Sequence, residues 1–399
     1  MFVRSIKWII IALVIIAIPV VQFVRPVPHL TLQVNGATVQ TVPGSKPKID
    51  WPSEGQAALA VVGVGDMGHS GAQTPTPIAS VTKVMTAYLV LKKHPLSIGQ
   101  DGPSITVTNE DYQTYLSDKS KGESVLQVKP GEHLTERQAL EGLMLPSGNN
   151  VATMLAEWCD GSESAFVQEM NSTAKSMGMT GTHYVDASGF NPGSESTAVD
   201  QVKLFSAAMQ LSTFKTVVGE PQATLPVAGT VYNVDSEVGH GVIIGGKTGS
   251  TSQAGGCFVF ASQKTIGANN VIIVGAVLGQ TQTPELQTAL DAGVTLSKNA
   301  QAALRHVQVV SADTPVATLS APWTKSQVVR AGGSISVIGW PGMVIHESVQ
   351  QNAKLASHEP AGATIGALTV TVGDQKYSVP LKTSTAMEGP SYTWRLKRL

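Results

Sequence analysis

Charge is scarce in this chain. Acidic and basic residues together make up 14% of the 399 positions and nearly cancel, leaving a formal net charge of −1. That balance argues against a nucleic-acid partner and against long-range electrostatic steering of a ligand. Cysteine is scarcer still. Cys159 and Cys257 are too few for a disulfide framework and read as two buried thiols, with one disulfide outside the cytoplasm as the alternative. Internal repeats and low-complexity tracts are absent. The nine histidines suggest no metal chemistry: His346-Glu347-Ser348-Val349-Gln350 misses a zinc-binding His-Glu-x-x-His by its last residue. His183 and His240 read as structural. There is no Gly-x-Ser-x-Gly nucleophile elbow. No metal or other cofactor is expected.

What the chain does have begins at its N-terminus. Arg4 and Lys7 precede Trp8–Val24, a run without charge that would span about 25 Å as a helix, enough for a bilayer core. Small residues suited to signal cleavage are missing from its end. An uncleaved single anchor is expected over 1–25, its charged end cytoplasmic and the rest of the chain extracytoplasmic. Prolines at Pro26, Pro28, Pro43, Pro47 and Pro52 mark 26–54 as an extended spacer.

A domain of mixed helices and strands is expected over 55–304. Ala57–Val64 reads as a strand and Ser80–Lys93 as a helix stopped by His94-Pro95. A capping box at Thr135 and Gln138 starts a further helix that Pro146 ends. The next helix begins at Asn150, so Ser147-Gly148-Asn149 sits in the corner between two helices. Amphipathic Glu163–Met177 and Val202–Leu211 follow. Val242–Ile244, Cys257–Ala261 and Val271–Leu278 read as strands, the first two joined by a Gly/Ser/Thr loop, and Leu286–Leu304 as a closing helix. From 305 the pattern changes to Val/Thr/Ser/Gly alternation with frequent turns, a separate small all-β domain over 305–399.

Three motifs carry the chemistry. Ser80-Val81-Thr82-Lys83, Ser147-Gly148-Asn149 and Lys247-Thr248-Gly249 occur in this order, the residue set of a penicillin-recognising serine acyl-transferase. Other Ser-x-x-Lys strings, at Ser45, Ser172 and Ser212, lack the right company. Ser45 lies between prolines that cannot hold a helix, and no Ser-x-Asn falls between the other two and Lys247. Helical spacing sets Lys83 over the face of Ser80. A lysine takes a serine proton once burial and a neighbouring cation, here Lys247, lower its pKa. Ser147 on a rigid corner can relay a proton toward a leaving amine, and Asn149 can hold a substrate amide. Lys247 and Thr248 can bind a carboxylate.

These residues resemble the low-molecular-mass penicillin-binding proteins that are serine-type D-alanyl-D-alanine carboxypeptidases. Ile78–Ala87, Leu143–Asn149, Met170-Asn171, Gly178–His183, Asp186–Gly189, Ser196–Ala198, Gly246–Gly249 and Ala254-Gly255 all look like that family, over about Gln56–Gly293. The resemblance implies an α+β fold: a five-stranded antiparallel sheet flanked by helices, a helical lobe, and a C-terminal β-sandwich. It implies that Ser80 is acylated, that Lys83 is its base, and that Ser147 and Asn149 form the second motif. Lys247, Thr248, Gly249 and Ser250 would bind substrate, with the amides of Ser80 and Ser250 as oxyanion hole. The implied substrate is a peptidoglycan stem peptide ending in D-Ala-D-Ala, and β-lactams would act as inhibitors.

The chain departs from that family in carrying Asn150 where Asp is frequent and in having no basic residue in Gln282–Gln287, where an arginine often helps hold the carboxylate. Ser391–Leu399 is too short for the C-terminal amphipathic anchor of many relatives, a task that falls to the N-terminal segment. A class A β-lactamase would need Glu-x-x-Leu-Asn, which does not occur. Cleavage of peptide cross-links, or a weakly active penicillin sensor that binds the wall, are the alternatives that use the same residues.

Overall fold

The computed structural model describes residues 2–36, 38–352 and 355–398. The chain divides into two compact units, 46–305 and a second one built from 1–45 together with 306–399.

The first unit is organised around a five-stranded antiparallel sheet. Its strands are β1 (Gln56–Val61), β2 (Gly65–Ser70), β3 (Ile243–Thr251), β4 (Gly255–Ile266) and β5 (Asn269–Gln280), in the order β3-β4-β5-β1-β2. β4 and β5 are buried along most of their length, as apolar runs covered on both faces must be. Helix α8 (Glu285–Ala303) lies on β4. Gly293 allows this close approach: a Cβ there would fall 2.7 Å from the Phe258 ring. Against the sheet packs a helical lobe with α1 (Lys83–Lys93), α2 (Asn109–Ser120), α3 (Glu136–Met144), α4 (Asn149–Asp160), α5 (Glu163–Ser176), α6 (Ala198–Ala208) and α7 (Ser212–Val218). Both cysteines are free thiols, and burial pushes each up to about 12.

Two local expectations change. The Gly/Ser/Thr segment after Ile244 is not a loop: β3 runs on to Thr251, with Lys247 opposite Val259 and Gly249 opposite Cys257. Pairing with the apolar β4 outweighs the weak strand propensity of glycine. The segment after Pro26 is not a bare spacer either. Thr31–Val34 and Val39–Thr41 are strands at opposite edges of a seven-stranded sheet whose other members come from 315–383. Seven flat strands would separate those edges by about 29 Å, yet the five steps from Val34 to Val39 reach at most about 18 Å. The sheet is therefore curled. Leu30 and Val42, at the outer ends of the pair, are buried.

Phe2–Val24 is one helix, and its apolar stretch Ile6–Val24 is unburied. The helix Tyr392–Lys397 packs on its end. Phe23 stacks on Tyr392, and the Arg398 guanidinium donates to the carbonyls of Gln22, Arg25 and Pro26, partners that a helix C-terminus otherwise lacks.

Because 30–42 is woven into the β-rich unit, Leu30→Ala should destabilise that unit by ~2–4 kcal/mol and lower its thermal transition. Scanning calorimetry of the full chain in detergent should show the transition of the 46–305 unit unmoved. A single unchanged trace would make the segment a tether after all.

Candidate active site

Ser80 lies in a 3-10 turn, Ala79–Thr82, that leads directly into α1. The turn is strained: Ala79 has φ +47°, a conformation that L side chains avoid and that persists where its surroundings enforce it. Two glycines supply the enforcement. A Cβ on Gly189 would fall 1.9 Å from the Ala79 carbonyl oxygen, and one on Gly249 would fall 2.9 Å from the Ser80 nitrogen. The Ser80 turn is thus clamped between β3 and the Asp186–Gly189 loop, with no room for a side chain at Gly249 or Gly189.

Lys83 is fully buried with three oxygens around its Nζ: Ser80 Oγ at 2.8 Å, Asn149 Oδ1 at 2.6 Å and the Ser188 carbonyl at 2.9 Å. The last two can only accept. A neutral amine has two N–H bonds and one lone pair. As an ammonium Lys83 donates to all three oxygens; as a neutral amine it would give its two hydrogens to Asn149 and Ser188 and leave its lone pair for the Ser80 hydroxyl. Burial first, and then the Lys247 ammonium, hold Lys83 well below the usual lysine range, against Asp186, Glu123 and Asp118. Burial and Lys247 thus shift Lys83 toward the neutral form, the one able to accept a proton.

Ser147 also has a left-handed backbone, φ +65°. Pro146 and the end of α3 turn the chain there, and the Gly148 N–H reaches the Gly142 carbonyl at 3.1 Å. Ser147 Oγ is buried without a hydrogen-bond partner among the described residues, a rare condition in a folded protein and one that a ligand or a transferred proton resolves. Lys247 is buried too, donates to the Thr248 carbonyl at 2.9 Å, and is pulled down to about 7 by burial, with Asp235 opposing. Thr248 is buried and Ser250 exposed on β3, the sheet's edge strand, where one row of backbone amides is free of β4.

A model of the family described as D-alanyl-D-alanine carboxypeptidase matches residues 68–281. A D-alanyl-D-alanine carboxypeptidase of Streptomyces sp. is 34% identical over 53% of this chain and 76% of its own length. One from Mycobacterium tuberculosis is 33% identical over 56% and 76%. The chain belongs to this family. Membership makes it a hydrolase, a serine-type D-Ala-D-Ala carboxypeptidase. The solved structure of the Streptomyces DD-transpeptidase aligns at 28% identity with a TM-score of 0.53, covering 64% of this chain and 99% of that one. DacD from Francisella tularensis, at 21% identity and a TM-score of 0.60, shares the fold over 87% of this chain and 95% of its own.

The structure therefore brings Ser80, Lys83 and Asn149 into one hydrogen-bonded group, with Ser147 beside Asn149 in sequence and Gly249 against Ser80. Two departures from the family's pattern have physical accounts. Asn150 both accepts from Leu126 N at 2.9 Å and donates to Leu126 O at 3.0 Å; an ionised aspartate could only accept. Around the expected arginine, Glu54 instead takes hydrogen bonds from Thr281 and Gln282. Sequence reasoning missed the Ser188 carbonyl and Glu123. Asp186–Gly189 stood out as a string, yet a backbone oxygen bears no residue signature, and Glu123 lies in no motif.

Gly249→Ala should lower kcat/KM about 100-fold or more, because a shift of the nucleophile by about 1 Å costs that much, while circular dichroism stays native. Activity within threefold of wild type would refute the clamp.

Proposed function

We propose that this chain removes the terminal D-alanine of peptidoglycan stem peptides through an acyl-enzyme on Ser80. The observation that carries the reading is the surroundings of Lys83, two pure acceptors and the Ser80 hydroxyl at 2.8 Å; once neutral, the amine gives its two hydrogens to the acceptors and keeps its lone pair for Ser80. Lys83 takes the serine proton as Oγ attacks the penultimate carbonyl. The amides of Ser80 and Ser250 hold the developing oxyanion. Ser147, whose hydroxyl has no other partner, passes a proton to the departing D-alanine nitrogen. Water then attacks the ester and frees Ser80. Asn149 holds the substrate amide. Lys247 and Thr248 receive the terminal carboxylate, without help from a basic residue in Gln282–Gln287. A β-lactam bearing a carboxylate would acylate Ser80 by the same steps and remain attached.

The site sits outside the membrane in this reading, and the helix Phe2–Val24 is the anchor. Its support is the stretch Ile6–Val24, with mean hydropathy 2.5. At its C-terminal end Phe23 stacks on Tyr392, and aromatic residues of this kind are found at both membrane interfaces.

D-alanine release from a peptide ending in D-Ala-D-Ala should vanish in Ser80→Ala. In wild type, kcat/KM should fall on the acid side as Lys83 gains a proton and on the alkaline side near pH 7 as Lys247 loses one. Amidating the peptide C-terminus removes the partner of Lys247 and should abolish the alkaline limb. Release that persists in Ser80→Ala would sink the assignment.

Full-length protein should stay with membranes through alkaline carbonate, and externally added protease should reach the 46–305 unit in intact protoplasts. Extraction by carbonate alone would contradict an anchor.

A further inference from the structure

One carboxylate enters the site from a segment that no motif marks. The chain from Glu123 to Leu126 is pinned across the start of α4 at several points. Asn149 N donates to the Ser124 carbonyl at 2.8 Å, and the Asn150 amide holds both backbone groups of Leu126. This places Glu123 Oε2 2.6 Å from Asn149 Nδ2. The Glu123 side chain is 5% exposed, with Lys121 Nζ 3.7 Å from its other oxygen. Glu123, Asn149, Lys83 and Ser80 thus form one unbroken line of hydrogen bonds.

The two ends of that line differ in kind. A carboxylate only accepts, so Glu123 demands the NH2 end of the Asn149 amide; Lys83 donates, so it demands the oxygen. Flipping the amide would set oxygen against oxygen and hydrogen against hydrogen. We infer that Glu123 is a positioning residue for this reaction: it holds the Asn149 amide in the one orientation that presents Oδ1 to Lys83. This rests on the assignment of Lys83 as the base. With Oδ1 fixed there, one Lys83 hydrogen is committed and the lone pair stays on Ser80. Without Glu123, Asn149 can turn its NH2 toward Lys83, which then accepts from Asn149 instead of from the nucleophile.

A second effect accompanies the first. The charged groups acting on Lys83 are Lys247, which opposes its protonation, and Asp186, Glu123 and Asp118, which favour it. Removing the Glu123 charge therefore eases the loss of the Lys83 proton. The acid limb of the rate profile moves to lower pH.

Glu123→Gln and Glu123→Ala separate the two roles. Glutamine keeps an oxygen that can accept from Asn149 Nδ2 but carries no charge; alanine offers neither. D-alanine release and acylation by a fluorescent penicillin should be followed across pH for both, with Ser80→Ala as reference. In Glu123→Ala the plateau of kcat/KM should fall about 10- to 100-fold. In Glu123→Gln it should recover to within about threefold, with the acid limb lower by about half a pH unit or more. Wild-type plateau and limb in both variants, or a glutamine variant as impaired as alanine with an unmoved limb, would overturn the inference. If Glu123→Ala fails to fold, the position of the acid limb in Glu123→Gln decides alone. Activity surviving in Ser80→Ala would instead overturn the assignment on which this one rests.

Discussion

The structure turns on a single buried amine. In the proposed reaction Lys83 must be neutral to act, and a neutral lysine in a protein interior is a cost rather than a contribution to stability. Everything within reach limits that cost and gives the amine direction: a carbonyl and an amide oxygen bind its hydrogens, and the one remaining neighbour is the hydroxyl to be activated. Lys247 would serve twice in that reaction, as a cation that opposes protonation of Lys83 and as the proposed landing point for the substrate carboxylate.

The same concern for placement explains where the backbone is strained. Ala79 and Ser147 both adopt left-handed angles, one immediately before the nucleophile and the other at the proposed proton relay. Neither residue type favours such a conformation, and the surrounding contacts hold each in it. The glycines at 189 and 249 are the counterpart, positions emptied of side chain so that the strained turn can be gripped by backbone. Rigid placement of a few atoms has been favoured over local comfort throughout the site.

Much of this was legible in the residues. The three motifs carry the residues that meet around Lys83 and the family to which the chain belongs, because side-chain chemistry is written in residue type, and the capping box at Thr135 and Gln138 marks the start of α3 as observed. What escaped notice depends on backbone. The Ser188 carbonyl could have come from any residue. The continuation of β3 through Gly245–Thr251 comes from hairpin pairing with Gly255–Ala261, which overrides the weak strand signal of its glycines. Thr31–Val34 looked like spacer because an edge strand of four residues, three of them exposed, has almost no periodic signal; its partner lies near Ser320. Glu123 was a lone charge in a polar stretch until tertiary contacts set it against Asn149.

The strands before the peptidase unit and those after it belong to one curled sheet, so the peptidase is an insertion in the middle of another fold. On the ribosome the order of events is then fixed. Thr31–Val34 emerges early and waits, unpaired, while the whole of 46–305 is synthesised and can close on its own. Only when 315–321 follows does the first strand find its neighbour. The β-rich unit is in effect a clasp that fastens last, and a chain truncated after α8, the last helix of the 46–305 unit, would leave its near half permanently open.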